Sequence, residues 1–494
     1  MTSENTAPKP ALLLVLDGIR PDVLRAAIRG GEVPNLGALA ERGEAVWDAV
    51  SVFPSITPAA TAAIATGEAP AKSGIVGHAW YDEDERRVVV YGAMTETVMA
   101  SGPIKVFHNN VWRMNRDDLH AATLFEALHD RGFDGACVNF PVRRGPHTHP
   151  IRMRTVEGYL KGGRYLGPSV KGPKEYFMGD LFYSRDTGFS GRKANGGVLR
   201  SVGINDDYAA RVGAMLLKDK AAPFNLVYFF KGDSIAHHHG LAAQRDWLTT
   251  AEEYVARIFA AGGGVDQVLE DYAVLALSDH GHAPLLPKNR YVDLRMIPGH
   301  TVASGVKARF GNGATVVVVP NGRSALLYLR NVVELGSVVD QLAGRRGVDL
   351  AAWIAGDWAT VRRLGREVRF RPGSELEDPF GRSWDLEGDP LALDIDVSDG
   401  LLRYGEYPDA LERLWGCLRS PRCGDVVLSA TPGYTFGEIS GGYHTASDHG
   451  SLHASDSDVF VLASGVPAPR RITDVAPTLL SHFGAERVAA DSVP

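Results

Sequence analysis

The sequence has little cysteine. Its 494 residues include three, Cys137, Cys417 and Cys423, which form no CxxC pair and are too few for a disulfide framework. Cys417 and Cys423 are near enough in sequence to pair, but unpaired thiols in a reducing cell are the simpler reading. The chain also lacks a basic excess. Lys and Arg number 52 against 59 Asp and Glu, for a net charge of -7. That balance leaves no electrostatic footprint for nucleic acid and mainly favours solubility. Long apolar runs are missing too. ALLLVL (11–16) is far shorter than the roughly 20 residues of a membrane-spanning helix, and MTSENTAPKP before it is polar, unlike a secretory leader. The expectation is a cytoplasmic protein with no membrane or nucleic-acid partner. No internal repeat or low-complexity tract is present. With 45% hydrophobic and 22% charged residues, the composition is that of a globular chain long enough for two or three domains.

What is present is a rhythm of short, continuous apolar runs: ALLLVL (11–16), GACVNF (135–140), NLVYFF (225–230), YAVLALS (272–278) and VFVLAS (459–464). Such runs read as strands buried on both faces of a parallel sheet. Helical patterns lie between them, near 123–132, 206–219 and 246–260. The alternation predicts an α/β fold, a doubly wound, mostly parallel sheet sandwiched by helices. The rhythm breaks over 143–200, rich in Gly, Arg, Lys and His, and over 285–405. In the second break TVVVVP (315–320) and SALLYLR (324–330) flank the turn-like Asn321-Gly322-Arg323, which predicts a hairpin. The expected organisation is a core of 10–284 and 406–494, with 285–405 as an inserted cap.

Four of these strands have metal-type residues at or near one end. They are Asp17 after the first, Asp233 and His237 after NLVYFF, Asp279, His280 and His282 after YAVLALS, and Asp448, His449 and His453 before VFVLAS. One Asp after a strand is an ordinary turn former. Four such ends on one sheet edge would gather desolvated carboxylates and imidazoles, which a divalent cation compensates. Asp/His mixtures suit zinc best, with manganese or iron as alternatives. In KGDSIAHHHG, Asp233 and His237 stand four apart and share a helical face, while His238 and His239 are rotated away. In VFPSITPAATAAIATG, Pro58 to Thr66 reads as a helix with Thr57 as its N-cap and Gly67 ending it. Thr57 is then either only a cap or a nucleophile, since a helix N-terminus and a nearby cation both favour an alkoxide.

Together LLLVLDGIRPDVL, PNLGALAERG, FPSITPAATAAIATGEAPAKSGIVGHAWYD, KGDSIAHHHG, LSDHGH and the late DHGS with ITDVAPTLLSHFG resemble the alkaline phosphatase superfamily, in its type I phosphodiesterase/nucleotide pyrophosphatase branch. The resemblance implies a hydrolase of phosphodiester or pyrophosphate bonds acting on a small-molecule phosphate or phosphonate ester. It implies two zinc ions, one held by Asp233, His237 and His449 and the other by Asp17, Asp279 and His280, with Thr57 also bound to the second. It also implies attack by Thr57, a covalent phospho-threonine and release by water.

Two departures bear on the substrate. The branch usually has Asn where this chain has His78, and an acidic residue and Pro where it has Lys231 and Gly232. A cationic His78 or an inward Lys231 would favour a monoester or phosphonate. The alternatives are therefore a phosphomonoesterase, a phosphonate hydrolase resembling phosphonoacetate hydrolase, or a phosphoryl-type transferase. Lys72 and Lys105 join Lys231 as conceivable carboxylate partners. His282 is expected behind the metal ligands or on a rim facing substrate, so His78, Lys231 and His282 form the expected substrate-binding set. His444 is a competing ligand to His449. Asn109, Asn110 and Trp112 are expected in a surface loop, and Arg143, Arg144, His147 and His149 in a basic loop. TPAAT lacks the Cys and Arg of a sulfatase motif.

Overall fold

The computed structural model describes residues 7–92, 95–151, 168–191, 202–330 and 333–485, so 152–167 and 192–201 of the Gly- and Arg-rich stretch lie outside the described residues. Among the described residues the central sheet has eight strands: β1 (Ala11–Leu16), β2 (Glu44–Val50), β3 (Gly135–Val138), β4 (Glu175–Met178), β5 (Phe182–Tyr183), β6 (Phe224–Phe229), β7 (Ala273–Leu277) and β8 (Asp458–Ser464). Their spatial order is β2-β8-β7-β1-β6-β3-β4-β5. The middle is parallel, β1 with β6 and β7, β6 with β3, and β3 with β4. The pairs β8 with β7, β8 with β2 and β4 with β5 run antiparallel. VFVLAS thus belongs to the sheet but opposes its parallel neighbour, which an apolar run cannot reveal because both orientations bury it. The edge strand β2, EAVWDAV, escapes detection because exposed Glu44 and Asp48 interrupt its apolar pattern.

Side chains alternate between two cores. Leu13 and Val15 point to one and Leu12, Leu14 and Leu16 to the other, all fully buried. Each such Leu or Val contributes about 1.5–3 kcal/mol of transfer free energy. Helix α1 (Thr57–Thr66) packs in the first core through Ala59, Ala63 and Ile64. Helices α2 (Asp206–Lys218) and α3 (Lys231–Ala261) pack in the second, α2 through Ala209 and Val212, α3 through Leu248, Val255 and Ile258. The result is the doubly wound sandwich. The histidine-bearing turn and the pattern at 246–260 are two helical segments of α3 that meet at a kink at Gly240, where φ is 83°.

A second sheet has ten strands. Val316–Asn321 and Ser324–Leu329 pair as an antiparallel hairpin closing at Asn321 and Ser324. Val426–Ala430 inserts between Ser324–Leu329 and Val348–Ala355, so the sheet draws on chain beyond residue 405. No helix among the described residues is long and apolar enough to cross a membrane.

Candidate active site

Strands β7, β1 and β6 are adjacent, so the residues just past their carboxyl ends meet, as ligand-binding groups do in open parallel sheets. Asp17 follows β1, Asp279 follows β7, and Asp233 lies in the first turn of α3, just past β6. Gly18 permits the approach. Its φ is +66°, and a Cβ there would fall 2.7 Å from His282 Nε2 and 3.0 Å from Asp233 Cβ.

Around Asp233, three imidazoles converge on one carboxylate oxygen. Nε2 of His237, His282 and His449 lie 3.1, 3.0 and 3.3 Å from Asp233 Oδ1. The opposite ring nitrogens have oxygen partners: His237 Nδ1 at 3.0 Å from the Ser447 carbonyl and His449 Nδ1 at 2.9 Å from the Ser55 carbonyl. A carbonyl only accepts, so these Nδ1 atoms donate and the Nε2 lone pairs face the carboxylate. Such an arrangement needs positive charge. Burial opposes ionisation of Asp233, yet His237 first, then His282 and His449, hold its carboxyl well below its ordinary range; burial likewise opposes protonation of His449, yet Asp233 raises it to about 10. Burial lowers His237 to about 4 despite the same carboxylate.

A second convergence centres on His280. Its Nδ1 lies 3.0 Å from the Gly281 carbonyl, so Nε2 offers its lone pair. That Nε2 is 3.1 Å from Thr57 Oγ1, 3.3 Å from Asp17 Oδ1 and 3.8 Å from Asp279 Oδ2. Those two carboxylate oxygens are buried and have no hydrogen-bond partner among the described residues. Their sister oxygens are engaged. Asp17 Oδ2 accepts from the Tyr228 hydroxyl, and Asp279 Oδ1 accepts from the Gly18 and His280 amides at 3.1 Å each. Burial, then the neighbouring Asp17, raises Asp279 to about 7, and burial with Asp233 raises Asp17 well above its ordinary value. Two orphaned carboxylate oxygens, one imidazole lone pair and one hydroxyl make a donor set that fits a divalent cation. The rings of His280 and His449 stack with centroids 3.7 Å apart, so the two donor sets lie side by side.

Thr57 is the first residue of α1, and Ile56 is the N-cap. The expected capping role is therefore corrected. The Thr57 hydroxyl is directed to His280 instead. Its carbonyl accepts from Thr61 Oγ1 at 2.7 Å.

His78 lies in the electrostatic field of His449, Asp233 and His280, and burial, then the charge of His449, lowers it to about 3. Burial thus favours the neutral ring of His78 over the cationic form. Lys231 opens α3. Its amide donates to Asp206 Oδ2 at 3.1 Å, and its charge acts on Asp206 and His238. Lys72 pairs with Glu68 at 3.6 Å on the surface, and Lys105 is exposed.

Several loop expectations are overturned. Asn109 and Trp112 are buried in a helical turn, Asn109 donating to the Val90 carbonyl and Trp112 Nε1 to the Pro168 carbonyl. Arg143 is buried and donates to the carbonyls of Asn110, Val111 and Pro141, while Arg144 donates to Glu126 and to the carbonyls of Leu119 and Ala121. His147 faces Asp134, and His149 donates to the Pro173 carbonyl. These are structural arginines and histidines, not a free basic loop. His453 turns to Glu406, and His444 lies against the His237 ring, 3.5 Å between centroids, with Nδ1 3.4 Å from Asp448.

Sequence reasoning missed the supports. Tyr228 reads only as one residue of an apolar strand. The hairpin turn Asn321-Gly322-Arg323 carried no functional signal, yet Asn321 clamps the backbone of Ala79, beside His78, with two bonds of 2.9 Å. Arg323 N–H donates to the His449 carbonyl at 2.8 Å, and a Cβ on Gly322 would lie 2.7 Å from that oxygen. The second sheet thus holds the segments bearing His78 and His449.

Residues 11–452 match the family model for type I phosphodiesterase/nucleotide pyrophosphatase. No curated protein matches the chain. Among solved structures, phosphonoacetate hydrolase from Sinorhizobium meliloti in complex with phosphonoacetate is 18% identical, covering 97% of this chain and 96% of that one, with a TM-score of 0.54. Murine ectonucleotide pyrophosphatase/phosphodiesterase 5, as an inactive variant in complex with AMP, is 12% identical over 96% and 95%, with a TM-score of 0.58. At these identities the likeness establishes the fold.

Proposed function

Because this chain belongs to the type I phosphodiesterase/nucleotide pyrophosphatase family, whose members are phosphoric ester hydrolases, we propose that it cleaves phosphodiester or pyrophosphate bonds of small molecules with Thr57 as nucleophile. The observation that carries this reading is the set of groups around Thr57 Oγ1. His280 Nε2 lies 3.1 Å away, itself facing the orphaned oxygens of Asp17 and Asp279. Asp17, Asp279, His280 and Thr57 would hold one divalent metal, and Asp233, His237 and His449 the other. Zinc suits both sets, with manganese or iron as alternatives. When bound, the pair neutralises the buried carboxylates and lowers the pKa of the Thr57 hydroxyl.

The first turn of α1 favours negative charge at Thr57 and on phosphate oxygens. Thr57 Oγ1 attacks phosphorus opposite the leaving oxygen. The bond to the leaving group breaks, and a phospho-threonine forms. Water then takes the phosphoryl group and restores the hydroxyl. Neutral His78 supplies a hydrogen bond to a non-bridging oxygen.

The test is a steady-state panel of bis-p-nitrophenyl phosphate, p-nitrophenyl phosphate and phosphonoacetate with metal-loaded protein. The diester should dominate. A dominant monoester or phosphonate rate would assign the alternative activity to the same residues.

A further inference from the structure

The amino end of the central sheet carries a second gathering of metal-type side chains. Asp134 stands immediately before β3, and β3 runs parallel to β6. Asp17, Asp233 and Asp279 follow the carboxyl ends of β1, β6 and β7, so Asp134 lies at the other end of the same sheet. His129 closes the helix Leu124–His129, and His147 opens the strand His147–His149, which pairs with Val170–Gly172. His129 Nδ1 and His147 Nε2 each lie 3.1 Å from Asp134 Oδ1. The ligand atoms of all three residues lie within 4.8 Å of one another. The two rings stand nearly perpendicular, at 79°, with centroids 5.1 Å apart. Donors about 2.0–2.1 Å from a zinc ion at tetrahedral angles stand about 3.3 Å from one another, so both nitrogens already sit near ligand spacing from the carboxylate oxygen.

Each donor is fixed by its own surroundings. A capping box of Thr123 and Glu126 starts the helix that His129 ends. Phe133, beside Asp134, packs on the Phe483 ring with centroids 4.9 Å apart. His149, two residues past His147, is buried and donates to the Pro173 carbonyl at 2.7 Å. Such anchoring holds the donors in place before an ion arrives. The side chains of His129, Asp134 and His147 are 42%, 25% and 36% exposed, so water can take the remaining position on an ion. Lys174 Nζ lies 2.9 Å from Asp134 Oδ2, which leaves the carboxylate one donor oxygen and sets a competing cation beside the site. One carboxylate with two imidazoles suits zinc and its transition-metal neighbours better than calcium or magnesium.

We propose that His129, Asp134 and His147 form a further site for a zinc-type divalent ion, at the end of the sheet opposite the catalytic groups. A bound ion ties the strand His147–His149 to the end of the helix Leu124–His129 and stabilises the native fold without entering the reaction.

The test is equilibrium dialysis of the full-length protein against zinc at neutral pH, with bound metal counted per chain by elemental analysis. His129→Ala and His147→Ala should each hold one zinc fewer than the unaltered protein. Affinity for that ion should fall more than about 100-fold, beyond the 10–100-fold typical of a residue that only supports a ligand. Diester kcat/KM of the zinc-loaded variants should stay as it is in the unaltered protein. Lys174→Gln, a change at an exposed side chain, should tighten the same ion by removing the competing cation. Equal zinc content and affinity in the unaltered protein and both histidine variants, the result if the rings only donate protons to Asp134, would overturn the proposal. So would weaker zinc binding by Lys174→Gln, which decides the matter should the histidine variants fail to fold. The count differs by one ion whatever reaction the protein catalyses, so this proposal and the proposed function fail separately.

Discussion

Asp279→Asn should stabilise the metal-free protein at alkaline pH while abolishing activity. Asp279 is fully buried, and burial with Asp17 raises its carboxyl from 3.8 to about 7. At 1.36 kcal/mol per tenfold change in proton affinity, that is about 4 kcal/mol against the ionised form. The native state thus holds this proton more tightly than the unfolded chain. Stability is greatest below the ordinary carboxyl value and is lost as pH rises through about 7. Between pH 5 and pH 8 the loss at this one group is about 3 kcal/mol. Asn keeps an oxygen for the Gly18 and His280 amides and places an N–H₂ toward Asp17, so it removes the penalty. The assay is the first urea transition of chelator-treated protein at both pH values, for the variant and its parent. The stability difference in favour of Asn should grow by about 3 kcal/mol from pH 5 to pH 8, and it should reverse when metal is restored to both proteins. A difference that is flat in pH, or a variant less stable than its parent without metal at pH 8, would refute the reasoning that this carboxylate is held for a cation.

Other expectations are more direct. Thr57→Ala should lower kcat/KM at least about 10³-fold even at saturating metal, where Asp17, Asp279 and His280 still hold the ion, measured by elemental analysis beside the kinetics. Tyr228→Phe removes the hydroxyl that bonds Asp17 Oδ2 and should weaken one metal by about 10–100-fold in chelator competition. His78→Asn exchanges one neutral hydrogen-bonding group for another and should leave diester kcat/KM within about tenfold, whereas a loss beyond about 100-fold would show that imidazole itself is needed. Arg323→Ala breaks the fully buried pair with Asp456 and should cost about 3–5 kcal/mol of stability in urea titration.

The sheet was legible where its strands are apolar on both faces, as ALLLVL and NLVYFF are. It was illegible where an edge strand carries charge, as β2 does with Glu44 and Asp48. The residues expected as metal ligands were legible because chemistry demands Asp and His just past strand ends, and adjacency of β7, β1 and β6 then gathers them. Supporting residues were not, because a tyrosine in an apolar run or an Asn-Gly-Arg turn looks the same whether or not it grips a site segment. Exposure was misjudged for Arg143 and Asn109 because each is satisfied by carbonyls or neighbours brought in by the fold. His282 was legible as a neighbour of the ligands, but its contact with Ser447, more than a hundred residues away in sequence, was not.

The central claim is that Thr57 takes the phosphoryl group. Metal-loaded protein turning over bis-p-nitrophenyl phosphate, quenched in acid and digested, should yield the peptide containing Thr57 with the mass of one p-nitrophenyl phosphoryl group, and Thr57→Ala should yield none. An adduct on another residue, or full turnover by Thr57→Ala, would contradict it.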